Sequence, residues 1–194
     1  MSENLKNEKE IIPADKDIKI PLNKMLVLFM ILSGIITSGL IYLLHKNVIL
    51  AGEALLLMPL LTYLSAVDLK LKLAPDWSTF VIFVISVPTI INTILSQEFF
   101  MLINMVFGLL ICFIPMFLSA LFSKNGIGGA DIKIMTALGF LLGAERAFLA
   151  LMSCLLIAIV FNAIQMKRGK MEKTDKFAMI PFIAIGAALS MIVL

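Results

Sequence analysis

Histidine and tryptophan each occur once in the 194 residues, cysteine twice, and charged side chains make up only 15%. One histidine, His45, and two cysteines, Cys112 and Cys154, cannot supply a Cys-x-x-Cys or His-Glu-x-x-His ligand set, so neither a structural zinc nor a zinc protease site is expected. No cofactor is implied. Both cysteines lie inside long apolar runs, where thiols act as small packing groups, and no disulfide framework follows. Ser33, Ser38, Ser65 and Ser119 have only His45 to serve as a base, and it falls in an expected outer loop, which disfavours serine-type catalysis. The surplus of 16 basic over 13 acidic side chains is too small to suggest a nucleic-acid partner.

What fills the chain instead is apolar: 61% of the residues, with a mean hydropathy of +1.05. Soluble domains run near 45–50% apolar and about 25% charged, so the sequence is that of a membrane protein whose partner is the lipid bilayer. The 13 methionines and 14 phenylalanines are scattered through the apolar runs and are expected to pack helices or face lipid.

A bilayer core about 30 Å thick needs roughly 20 helical residues. Runs of about that length cover 25–44, 48–67, 78–96, 99–122 and 147–165, with a slightly shorter one at 177–194. A seventh, 132–144, is short for a full span and suits a helix shielded by its neighbours. The expected fold is an all-α polytopic membrane protein of six to seven transmembrane helices with short loops. Residues 1–24, with five lysines, five acids and two prolines, read as a polar cytoplasmic tail. Residues 25–194 read as a single helical transmembrane domain.

Lysine and arginine decide orientation, because loops rich in them stay cytoplasmic. If the N-terminus is inside and all seven segments cross, fourteen of the 16 basic residues are inside, and only Lys46 and Arg146 are outside. Were 132–144 not to cross, the cluster Lys167, Arg168, Lys170, Lys173 and Lys176 would fall outside. The charge pattern therefore predicts that it crosses and that the C-terminus is external.

Three aspartates lie near the ends of these runs. Asp68 closes TYLSAVDLKLKLAPDW, and a carboxylate there can simply reach water. Asp76, after Pro75, is expected to be an N-cap. Residues 123–133 read SKNGIGGADIK, where Gly126, Gly128 and Gly129 suit a tight connection delivering Asp131 to a helix start. Alone, Asp131 could be a helix cap and Lys133 an ordinary inner lysine. Under the derived topology, however, Asp68 and Asp131 share the cytoplasmic face. Two carboxyl groups in a poorly solvated place do not readily both ionise, so the pair offers one base and one acid. The ionised member can deprotonate a water attacking a peptide carbonyl while the other donates to the oxyanion and the leaving amine, which is aspartyl-protease chemistry.

Three segments resemble the type IV prepilin peptidases and archaeal preflagellin peptidases, membrane aspartyl proteases of the GxGD type. They are AVDLKLKLAPDW, GIGGADIKIMTALGFLLG and AMIPFIAIGA, in family order over roughly residues 55–190. One departure is Ala130, which gives Gly-Gly-Ala-Asp in place of Gly-x-Gly-Asp and looks more like the archaeal branch. The cysteine-rich insert and methyltransferase portion of many bacterial members are absent, so N-methylation is not expected.

The resemblance implies an aspartic endopeptidase of the cell membrane. It would remove the short charged leader from type IV pilin-like or archaellin-like precursors at the cytoplasmic face, with Asp68 and Asp131 as the catalytic pair. Gly126, Gly128 and Gly129 would shape the loop, and Lys133 would orient the leader or tune Asp131. Two alternatives remain. One is a non-enzymatic membrane protein, an assembly partner or small transporter whose aspartates cap helices or bind a cation. The other is a presenilin-like protease cutting within a span, against which the span-end position of both aspartates argues.

Overall fold

A computed structural model describes residues 23–122, 128–168 and 178–194. Residues 1–22 of the polar tail, Lys124, Gly126 and the lysines at 170, 173 and 176 lie outside the described residues. Among the described residues every regular element is helical: α1 Lys24–His45, α2 Val48–Leu71, α3 Trp77–Ile85, α4 Val87–Leu95, α5 Phe99–Phe122, α6 Gly129–Lys167 and α7 Ile180–Val193.

The connections follow from local chemistry. Lys46 ends α1 in the left-handed region, its amide bonded to Tyr42 O, and the Asn47 side chain then accepts the Ile49 and Leu50 amides to start α2. Two residues thus reverse the chain. The run expected over 78–96 forms as two short helices separated at Ser86, whose hydroxyl donates to Phe83 O at 2.7 Å. Pro88 in the first turn of α4 explains the break, since it removes one amide from the ladder.

The 39 residues of α6 would make a straight rod about 58 Å long, nearly twice the hydrocarbon thickness of about 30 Å. The chain folds back instead at Gly143, whose φ of 74° and ψ of 172° are accessible essentially to glycine alone. Cys112 Sγ of α5 lies 3.8 Å from Ala147 O and 2.9 Å from where a Cβ on Gly139 would sit. In a straight helix those two residues would be about 12 Å apart along the axis. The short segment expected over 132–144 is therefore the first arm of a hairpin, 129–142, and 144–167 is the returning arm. Most of the first arm's side chains are buried, including Ile134, Met135, Leu138 and Leu142, which is why so short a helix can be apolar on nearly all sides.

The core lies between α2, both arms of α6 and α7, where Leu57, Leu61, Leu64, Leu138, Leu151, Ile180 and Ile183 are essentially inaccessible. Outward-facing Leu43, Phe80, Phe100 and Leu121 provide the apolar exterior of a membrane bundle. Apolar burial drives helix association little in lipid, so close backbone approach matters more. Gly108 of α5 and Gly139 of α6 provide it: a Cβ on either would overlap the other's carbonyl oxygen.

The two ends of the bundle differ in charge. At one end lie Lys24, Lys70, Lys72, Lys133, Lys167 and Arg168. At the other, Lys46 and Arg146 stand near the close of α7, where His45 Nε2 donates to Ile192 O at 2.9 Å and Arg146 donates to Leu194 O at 3.0 Å.

Candidate active site

Asp68 sits in the last turn of α2, only 6% exposed, at the unfavourable negative end of its own helix dipole. Compensation arrives from α7. Asp68 Oδ2 accepts the Ile180 amide at 2.9 Å, and the Met179 amide stands within stabilising reach of this carboxylate. Met179 is the N-cap of α7 and Pro181 occupies its first turn, so the positive end of that helix is aimed at Asp68. Lys72, one turn on, lies within electrostatic reach of it.

Asp131 occupies the third position of α6, behind the N-cap Gly128. The Gly128 amide stands within stabilising reach of its carboxylate. Asp131 also feels the charge of Asp68. Two carboxyl side chains, each at the positive end of a helix, thus lie at one end of the bundle. A Cβ on Gly128 would come within 3.1 Å of Asp131 Oδ2, whereas Gly129 borders open space. Glycine at 128 keeps room for the carboxylate, and glycine at 129 leaves an approach for another chain.

The structure puts the remaining sequence candidates elsewhere. Lys133 Nζ pairs with Asp76 Oδ1 at 2.7 Å, both side chains well exposed, rather than with Asp131. Asp76 stands before α3 as expected, yet it makes no cap hydrogen bond. Its own backbone is helical (φ −62°, ψ −29°), which turns the side chain away from the first amides, and the Ser78 amide bonds to Pro75 O instead. His45 lies at the opposite end of the bundle, committed to Ile192 O. Among the described residues no three His, Cys, Asp or Glu side chains converge.

Residue-type reasoning passed over the amides of Met179 and Ile180, since a backbone donor leaves no mark in composition. The available signal was Pro181, which favours the first turn of a helix and so marks where free amides begin.

The model of the type IV leader peptidase family matches residues 55–164, more than half of the chain and both aspartates. The chain belongs to the type IV leader peptidase family. Within it, similarity extends to the prepilin leader peptidase/N-methyltransferase of Bacillus subtilis (strain 168), at 31% identity over 71 residues. That alignment covers 37% of this chain and 29% of the relative, so the chain spans under a third of that protein's length. No solved structure matches. In this family member the α7 turn that holds Asp68 lies beyond the matched region, so its part in the site comes from the geometry alone.

Proposed function

We propose that the protein is an aspartic endopeptidase of the cell membrane that removes the short charged leader from type IV pilin-like or archaellin-like precursors. The observation that carries this is that Asp131 lies within electrostatic reach of Asp68, from a helix far apart in sequence. One carboxylate takes a proton from the attacking water. Its neighbour, protonated, donates to the carbonyl oxygen and then to the departing amine. The two share a proton, so the activity is bell-shaped in pH with both limbs belonging to the pair.

Helix capping accounts for each aspartate singly, and it is what a non-enzymatic membrane protein would need. It does not account for bringing Asp131 within electrostatic reach of Asp68, which opposes ionisation of both together. Uncharged Asn or Ser would cap as well. The position of the pair favours cleavage at a leader–helix junction over cleavage within a span. Both aspartates belong to end turns, where an apolar substrate helix can stay in lipid while its polar leader remains in water. The basic residues gathered at the same end support a cytoplasmic site by the positive-inside rule.

The test is cleavage of a co-expressed pilin-like precursor by wild type, Asp68→Asn and Asp131→Asn. Asparagine keeps an oxygen for the Ile180 or Gly128 amide, so the fold is retained while the shared proton is lost. Both variants are expected to be inactive. Cleavage by either would remove that residue from the mechanism, and no cleavage by a folded wild type would favour the non-enzymatic reading.

A further inference from the structure

We infer that Asn104, at the end of the bundle opposite the aspartates, is a positioning residue for Asp131, acting through the first arm of α6. This rests on the peptidase reading above.

Asn104 Oδ1 of α5 accepts the Ala144 amide at 3.3 Å, the first amide of the returning arm. A helix start leaves such amides without partners, and the residue before them usually caps one with its own side chain. Here that residue is Gly143, which has no side chain because the reversal needs positive φ. The cap therefore comes from another helix. The Asn104 amide nitrogen also closes over the turn, 2.8 Å from where a Cβ on Gly143 would sit. One side chain thus fixes both sides of the only residue joining the two arms.

The surroundings are those of an anchorage. Glu53 of α2, 3% exposed, accepts the Thr89 hydroxyl of α4 at 2.5 Å and lies within electrostatic reach of Arg146. Arg146 in turn donates to Leu194 O beyond α7. A cavity of about 90 Å³ adjoins Asn104, Gly143, Glu53 and Arg146. Ionisable side chains buried in a membrane bundle are costly and usually serve function. None of these belongs to the aspartate site, but all of them border the turn from which the Asp131 arm hangs.

The arm transmits the constraint as a lever. Gly108 of α5 presses on both Gly139 and the turn itself: a Cβ on it would overlap Gly139 O and stand 2.6 Å from Gly143 C, so the pivot is the turn that Asn104 holds. At 1.5 Å per residue, the 12 residues from Gly143 to Asp131 make an arm about 18 Å long. A pivot of about 3° moves Asp131 by about 1 Å, a misplacement that can lower a rate on the order of 100-fold.

The experiment measures kcat and KM for a pilin-like precursor in reconstituted wild type, Asn104→Leu, Asn104→Ala and Asn104→Asp. Leucine and alanine lose the acceptor. Aspartate keeps it and suits a helix N-terminus. Loss of the acceptor is expected to lower kcat about 10- to 100-fold with KM within about twofold, and aspartate to restore kcat to within about threefold. Independently of activity, spin labels at Lys70→Cys and Lys133→Cys, with Cys112 and Cys154 replaced by alanine, report the separation of α2 from the arm. In Asn104→Leu, or in Asn104→Ala should leucine not fold, that distance shifts or broadens by on the order of 1 Å. Unchanged kcat and distance in the acceptor-less variants, a change in KM alone, or equal impairment by aspartate would overturn the inference. A wild type that cleaves nothing while the label distance still responds to Asn104 would count against the peptidase reading and leave the lever standing.

Discussion

Replacing Gly139 by alanine tests whether the α5–α6 contact holds the bundle together. The new Cβ would overlap Gly108 O and stand 2.9 Å from Cys112 Sγ and 3.0 Å from Cys112 Cβ. A backbone carbonyl cannot rotate away, so the helices must separate by about 1 Å, and a gap of that size forfeits a quarter to a half of each dispersion well. If about 40 atom pairs at about 0.15 kcal/mol cross the contact, as many as one buried leucine makes, the loss is about 1.5–3 kcal/mol. That agrees with the usual cost of overpacking, about 1–3 kcal/mol.

The counter-experiment is in the same molecule. Gly39 lies mid-helix in α1 with nothing within 4 Å of its would-be Cβ. Alanine there removes only the glycine helix penalty and stabilises by about 0.5–1 kcal/mol. The assay is unfolding of purified protein in mild detergent, by denaturant titration or by trapping of the unfolded state. Opposite signs are expected for Gly139→Ala and Gly39→Ala. Equal stabilities, or a destabilised Gly39→Ala beside an unaffected Gly139→Ala, would refute the close-contact reasoning.

Thr89→Val leaves the buried Glu53 carboxylate without its hydroxyl donor and should destabilise by about 1–3 kcal/mol, whereas Thr89→Val combined with Glu53→Leu should recover much of the loss in the same unfolding assay. The exposed Lys133–Asp76 pair should show a coupling under about 0.5 kcal/mol in a double-mutant cycle, shrinking further in salt; a larger value would mean the pair is a structural tie. Single cysteines at Lys46 and Lys72 should react with a membrane-impermeant reagent from opposite sides, with Lys72 on the cytoplasmic side, and the reverse labelling would invert the proposed topology.

The helical architecture was readable because bilayer thickness imposes a length on every span, and five of the seven runs have it, with 177–194 slightly shorter and its helix Ile180–Val193 shorter still. The seventh, 132–144, was too short for that rule, and only the sidedness of the lysines argued for a crossing. The structure supplies the physical reason in Gly143, whose backbone lets one glycine replace a loop. The division of 78–96 at Ser86 was marked by Pro88, but a proline inside a span can kink, break or merely bend a helix. At the candidate site, the two carboxylates could be named from residue type and their partners could not. Asp68 and Asp131 declare themselves as rare charges at span ends, whereas the donor to Asp68 is a backbone amide 112 positions later, brought close only by the packing of α7 on α2. Asp76 failed as an expected cap because capping depends on the residue's own φ and ψ, which residue type does not specify.

That long-range bond between Asp68 and the start of α7 also sets an order in time. The ribosome delivers both aspartates to the membrane well before residues 179 and 180 exist. Until α7 has been made and packed, Asp68 has no amide to receive its charge. The amide donor reaches Asp68 only when this late helix docks, so a nascent or truncated chain that already holds both aspartates carries the carboxyl pair without it.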